Sequence, residues 1–350
     1  MELSQKIEKA KEYMKGKNLA IAFSGGADST FIAYLSKKVA NNTLAIIFNN
    51  GLMPSKFLDD AQKVAKNLEI EYEIINDDFI KNEKFIENDS KRCFICKNIM
   101  YSKIKKLANE KGYETIVDGT NINDLLEDRP GIMVNYEKNI LSPLANAGIE
   151  KEEVLEFLSE KNINYSKMTT CLATRINRKE KITLKKINRI NYAENLLKNL
   201  TKLETVRVRD FSNTAQIEVE DLAPLLNKNT LQLIESELKA VNFKKITLAI
   251  DTLAKAKKEI VVYKPCKDEA NKIMFENELP YEIDINKTCI ELEKLGPVKC
   301  SDEMGVAMVD ISGRNVTLFK NGKIVARKVQ DKEDAQSILL EVLPLIRRTL

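Results

Sequence analysis

Apolar and polar positions alternate with two different periods along the chain. Residues 2–16 place apolar side chains at helical spacing. The unbroken apolar run NLAIAF (18–23) predicts a buried strand, SGGADST (24–30) a turn, and FIAYLSKKVA (31–40) a helix. The alternation repeats with a strand at 43–50, a helix near 55–68, a strand at 71–75 and a helix from about 93 to 111. It continues with a strand over ETIVDGTN that ends near 121. Continuous apolar strands separated by helices predict an α/β class, with a parallel sheet covered on both faces.

Past Pro143 the pattern shifts. A helix at 150–161 leads into the irregular stretch TTCLATRINRKEKIT (169–183). A helix at 183–199, strands at 204–210 and 215–220, a helix at 228–240 and a strand at 244–250 follow, a smaller α+β unit. AKAKKE (254–259) reads as a charged linker. Beyond it, Asn321-Gly322 joins two strands of a hairpin, and a helix over 332–350 closes a third, α+β unit. The expected units are 1–168, 169–253 and 254–350. A chain cut near Ala256 is expected to remain soluble and keep its chemistry, since the chemistry-bearing residues named below all precede the linker.

Composition narrows the chemistry. Of 350 residues 43% are hydrophobic and 31% charged, a globular balance, and a net charge of +4 demands no nucleic-acid or membrane partner. No run of about 18 apolar residues suggests a membrane span, and the first twenty residues lack the apolar core of a secretory signal. These features predict a cytoplasmic protein with reduced thiols. His is absent, so Ser-His or Cys-His nucleophiles, His-ligated zinc and imidazole bases are excluded. Any protein metal site must use Cys or carboxylate, and the six Cys stand at 93, 96, 171, 266, 289 and 300.

Ser24, Gly25, Gly26, Asp28, Ser29 and Thr30 directly follow the first strand and open a helix. Two glycines let N–H groups approach an anion, and the helix start adds unpaired donors and a positive dipole end. The loop lacks the GKS/T ending of a Walker A motif and the GxGxxG of a dinucleotide turn. It resembles the SGGxDS pyrophosphate loop of the PP-loop ATPases, which are adenine-nucleotide α-hydrolase-like and cleave ATP between the α and β phosphates. The resemblance implies ATP with Mg²⁺, and it makes Asp28 a metal- or nucleotide-orienting residue.

Cys93 and Cys96 form a CxxC at the start of a predicted helix. The dipole and the flanking Arg92 and Lys97 are expected to lower their pKa values. With Cys171 three readings stay open: unliganded thiols, a three-cysteine zinc site completed by water, or a [4Fe–4S] cluster with one free iron. Cys266, Cys289 and Cys300 lack such spacing and read as buried or spare thiols.

SGGADST (24–30), RCFICK (92–97), DGTNINDLLEDRPG (118–131), CLATR (171–175), TVRVRD (205–210) and AQIEV (215–219), in this order, resemble the LarE family of PP-loop sulfur transferases of nickel-pincer nucleotide biosynthesis. The likeness covers roughly residues 5–253 and leaves the tail unmatched. It implies adenylation of a pyridinium-3,5-biscarboxylate mononucleotide and displacement of AMP by sulfur, giving a thiocarboxylate. One branch sacrifices a single Cys, which falls on Cys171. The branch with a CxxC is implied to hold a [4Fe–4S] cluster on Cys93, Cys96 and Cys171, with sulfur from sulfide or a sulfur-donor protein. The chain is then expected to form a homo-oligomer.

Arg207 and Arg209 alternate with Val, so they share one sheet face and suit the 5′-phosphate of a mononucleotide. Arg175 is a further phosphate or carboxylate contact, and Glu218 a candidate partner for the arginines. Asp118 and Arg129, with Asp124, follow the fourth strand, at the sheet edge where ligands bind, and Asp118 and Arg129 are assigned to ATP. Competing readings are a tRNA-thiolating PP-loop enzyme, supported by the lysine-rich stretch 177–189, an amide-forming ligase, and a non-enzymatic sensor.

Overall fold

The computed structural model describes residues 2–127, 129–167, 170–251, 253, 262–265 and 273–350. Strands β1 (Asn18–Phe23), β2 (Asn42–Asn49), β3 (Glu71–Asn76) and β4 (Thr115–Val117) form a parallel sheet in the order β3-β2-β1-β4. Helices α1 (Leu3–Glu12), α2 (Ala27–Val39), α3 (Phe57–Asn67), α4 (Glu83–Ile86) and α5 (Arg92–Glu110) connect and flank it. Then come the short α6 (Ile122–Leu125), α7 (Met133–Glu137) and α8 (Pro143–Asn146), and α9 (Lys151–Glu160). Leu44, Ala45, Ile46 and Ile47 are all fully buried, because a parallel strand is covered on both faces. Edge-on packing of Phe31 on Phe157, 4.8 Å apart, seats α9 on α2. The strand expected over ETIVDGTN stops at Val117; from Asp118 the backbone turns to bring side chains together.

A second sheet, β5-β6-β7, comprises Val206–Phe211, Thr214–Val219 and Lys245–Leu248, with α10 (Leu184–Thr201) and α11 (Lys228–Ala240). Val206, Val208 and Asp210 are buried, so Arg207 and Arg209 share the opposite face, as expected. Ala20, Leu44 and Ile46 of the first sheet join Val206, Val208, Ile217 and Ile234 in one apolar core.

The third sheet has the order β10-β11-β12-β13-β9-β8, from Val298–Ser301, Val306–Ile311, Arg314–Phe319, Lys323–Val329, Ile273–Glu278 and Val262–Pro265. Helices α12 (Ile285–Leu292) and α13 (Lys332–Val342) pack with it, and Asn321-Gly322 makes the expected hairpin turn, with Gly322 at φ +90°. The closing helix ends at Val342, where a short 3-10 turn containing Pro344 follows. Cys289 and Cys300, read as free thiols, are joined in a disulfide between α12 and β10, whose Cα atoms stand 6.4 Å apart. Cys266, the linker 254–259 and the boundary at 168–169 lie outside the described residues.

The tail is no loose appendage. Ile122, Leu125, Ile132 and Ala145 belong to the same apolar core as Phe275, Ile283, Leu339 and Ile346.

Candidate functional site

The glycine turn sits at the carboxyl end of β1. Gly25 has φ +72°, and a Cβ there would stand 2.8 Å from the Ala61 Cα, so both the conformation and the space call for glycine. The Ser29 hydroxyl donates to the Gly26 carbonyl at 3.1 Å, and Thr30 to the Gly25 carbonyl at 3.1 Å. These two hydroxyls therefore shape the loop, while Ser24 is exposed. Gly26 caps α2, whose first turn carries Asp28.

Residues 118–121 press against this loop. A Cβ on Gly119 would stand 2.7 Å from the Ser29 nitrogen, so only glycine permits the approach. Asn121 donates to Asp28 Oδ1 at 3.0 Å and caps α6 in a reciprocal box with Asp124. Arg129 pairs with Asp124 at 2.7 Å and with Glu127 at 2.8 Å. Burial pushes the Asp28 carboxyl up against the hydrogen bond from Asn121 and the charges of Lys151 and Arg129. Burial raises Asp124 too, opposed by Arg129 and reinforced by Asp28. The Arg129 guanidinium is the cation that offsets both carboxylates.

Asp118 is 5% exposed and accepts bonds from Tyr101 and Thr120 at 2.7 Å, Ser142 at 2.8 Å and Asn135 at 2.9 Å, with Lys97 at 3.7 Å. Burial pushes its carboxyl up, but Lys97 and the hydroxyl bonds outweigh it and hold the group below the usual carboxylate range. Asp118 is thus an interior hub that braces the segment packed against the glycine turn.

The cysteines lie along the same sheet edge. The Asn50 amide donates to Cys96 Sγ at 3.9 Å, and Cys171 Sγ to the Leu52 carbonyl at 3.5 Å, so one turn after β2 touches both thiols. Cys93 is exposed and Cys96 and Cys171 partly buried. Burial, then the nearby Cys171 and Cys93, push Cys96 up to about 12, and burial raises Cys171 as well. The expected lowering therefore fails at Cys96, where desolvation exceeds what Arg92 supplies. Among the described residues no three Cys, Asp or Glu side chains are gathered closely enough to hold a metal ion.

Beyond Cys171 the arginines divide. Arg175, 2% exposed, turns inward to Glu194 at 2.7 Å and to the Thr170 and Thr174 hydroxyls. Arg209 pairs with Glu218 at 2.5 Å and reaches the Thr174 carbonyl at 3.4 Å. Arg207 stands opposite Glu218 in the strand register. Its Nε, like Glu218 Oε2, is buried with no hydrogen-bond partner among the described residues. Burial and the like charges of Arg175 and Arg209 lower the Arg207 pKa, and the carboxylates of Glu218 and Glu194 offset this only in part. Sequence reasoning missed Asn50, Asn121 and Glu194; only Asn121, inside the DGTN block, carried a signal.

A parallel sheet whose first strand opens through a glycine turn onto a helix N-terminus defines an α/β protein with an anion-binding loop at the carboxyl end of its sheet. The PP-loop domain family matches residues 1–181, and the chain belongs to this family, whose members are ATP-using enzymes. An uncharacterized protein of Methanocaldococcus jannaschii is 35% identical over 242 residues, 69% of this chain and 92% of the relative. The pyridinium-3,5-bisthiocarboxylic acid mononucleotide synthase of Lactiplantibacillus plantarum is 26% identical over 255 residues, 69% of this chain and 91% of that protein. A probable tRNA sulfurtransferase of Methanobrevibacter smithii is 27% identical over 153 residues, 39% of each chain.

Proposed function

We propose that the chain is an ATP-dependent sulfur transferase that converts a carboxylate of a pyridinium-type mononucleotide into a thiocarboxylate. The observation that carries this reading is the turn Asn50–Leu52, which touches both Cys96 and Cys171 at the carboxyl end of β2, beside the strand that opens into the nucleotide loop. Two steps account for the arrangement. A substrate carboxylate oxygen attacks the α-phosphorus of ATP, the bond to pyrophosphate breaks, and an acyl-adenylate forms. A sulfur nucleophile then attacks the acyl carbon, and the bond to AMP breaks. Gly25 and Gly26 hold phosphate through backbone N–H groups, and Asp28 and Asp124 face the Mg²⁺ of the nucleotide. Arg207 meets the phosphate of the mononucleotide through its unpartnered Nε, with Arg209 steadied by Glu218.

Cys93, Cys96 and Cys171 suit a [4Fe–4S] cluster by donor chemistry: they are three thiols within electrostatic reach of one another, and among the described residues no fourth thiol joins them. When bound, the cluster supplies a Lewis-acidic position for sulfide. The chain's own part is to hold the thiols at the sheet edge and to present the acyl-adenylate to them.

The test is product analysis with the mononucleotide acid, sulfide and ATP after anaerobic reconstitution with iron. AMP and pyrophosphate are expected, Asp28→Ala abolishes them, and each Cys→Ala change at 93, 96 or 171 stops thiolation while adenylation persists. Release of ADP would overturn the reading. Loss of one H₂S from Cys171 in active protein, with Cys93→Ala and Cys96→Ala still competent, would replace the cluster by a sacrificial sulfur. Thiolation of tRNA in place of the acid would move the substrate to nucleic acid.

A further inference from the structure

The single-turn helix α6 is held at both ends by different parts of the chain. At its start, Asn121 donates to Asp28 in the first turn after the nucleotide loop, at 3.0 Å. At its end, the Leu125 carbonyl accepts a bond from the Tyr281 hydroxyl of the C-terminal unit, at 2.7 Å. The last carbonyls of a helix have no partner within it, and one turn has almost no stability of its own. The side chains of α6 do not belong to the nucleotide domain's core either: Ile122 and Leu125 pack with Phe275, Ile283 and Ile346. The Arg347 guanidinium, 3.6 Å from the centre of the Tyr136 ring, fastens the neighbouring α7 to the same unit. Arg129 follows α6 and lines a small cleft together with Tyr281 and Arg348.

We propose that Tyr281 is a positioning residue for the nucleotide site: it fixes the end of α6, and α6 fixes Asp28 through Asn121. The C-terminal unit then tunes the affinity for Mg·ATP without touching it. This rests on the reading that ATP occupies the Ser24–Thr30 loop.

The experiment measures Mg·ATP binding to the full chain by calorimetry, well below the melting temperature, with thermal melts alongside. Tyr281→Phe keeps the ring against Arg348 and removes the hydroxyl. It is expected to weaken Mg·ATP by about three- to tenfold, the range of one neutral hydrogen bond. Asn121→Ala is expected to weaken it as well, and the double variant to lose less than the product of the two, because both cut one link. A purely structural tyrosine predicts a lower melting temperature with unchanged affinity, and that result overturns the proposal, as do independent effects in the double variant. Asp28→Ala separates the two levels. If it binds Mg·ATP like the wild type, the nucleotide-loop reading falls and this proposal with it. If Asp28→Ala fails to bind while Tyr281→Phe is unaffected, only the present proposal falls.

Discussion

The Arg92 guanidinium donates to the Ala173 carbonyl at 3.0 Å, tying the helix that carries the CxxC to the loop that carries Cys171. The same side chain reaches Cys93 Sγ at 3.7 Å and the buried Asn88. Asn88 in turn holds the Asn177 and Glu180 carbonyls, at 2.8 and 2.9 Å. Arg92 is thus a latch between two elements that Asn88 and the Asn50–Leu52 turn also join.

Removing the latch separates the two half-reactions. Arg92→Met keeps an unbranched apolar stem and loses the charge-assisted bonds, worth about 1.5–3 kcal/mol. Sulfur transfer is expected to fall by roughly tenfold or more, while ATP–pyrophosphate exchange stays near wild type, since the bonds of Arg92 go to Asn88, Ala173 and Cys93 and, among the described residues, not to the nucleotide loop. Equal losses in both assays would place Arg92 in the general fold instead.

Arg207 and Arg175 differ in the opposite sense. Arg207 has a buried, unpartnered Nε beside two like charges, so Arg207→Ala is expected to leave the melting temperature unchanged or raised while mononucleotide binding weakens far more than ATP binding. Arg175→Ala strands Glu194 in the interior and is expected to cost about 3–5 kcal/mol of stability. Denaturant midpoints and two binding titrations check both. A matched loss of ATP and mononucleotide affinity in Arg207→Ala would assign the arginine to the nucleotide.

The parallel sheet was legible in the sequence because its strands are covered on both faces and read as unbroken apolar runs. The loop was legible because Gly25, at φ +72°, is required by local backbone geometry. Arg207 and Arg209 were placed on one face by the two-residue period alone. The pairing of Arg175 with Glu194 was not legible, because Glu194 is contributed by a helix further along the chain and local spacing carries no trace of it. The Cys289–Cys300 bond was missed for a similar reason: strand β10 returns beside α12, a tertiary fact. The direction at the Cys96 thiol was misjudged because helix dipoles can be read from position, whereas burial cannot.

Asp118 sets an acid limit on the nucleotide domain. Its folded pKa is depressed, so its contribution to stability is complete above the unfolded carboxylate range near pH 4 and is lost as pH falls through the folded value. Asp118→Asn keeps the shape and removes the charge facing Lys97. Urea midpoints between pH 3 and 7 are expected to show the variant less stable near neutrality and less sensitive to acid than the wild type. Parallel curves would mean that Asp118 ionises alike in the folded and unfolded chain.

Cutting the chain near Ala256 tests whether the tail completes the nucleotide domain. The sequence alone suggests a separable fragment, since the loop, cysteines and arginines all precede the linker. The core argues otherwise. Ile122, Leu125, Ile132 and Ala145 are at most 8% exposed and pack against the C-terminal unit. Leu340 side-chain carbons lie 3.1 Å from the position a Cβ on Gly148 would take, so α13 also covers the turn after α8. Exposing the three larger aliphatics costs about 1.5–3 kcal/mol each, and the patch lies on the segment that carries Asn121 and Arg129. The fragment 1–256 is therefore expected to associate in solution, bind an apolar dye and lose affinity for Mg·ATP. Polar replacements such as Leu125→Gln and Ile132→Gln restore solubility to the fragment, but not the affinity, because they cover the face without holding α6. A monodisperse fragment with full ATP affinity would make the tail an independent attachment and leave the shared core without consequence for the site.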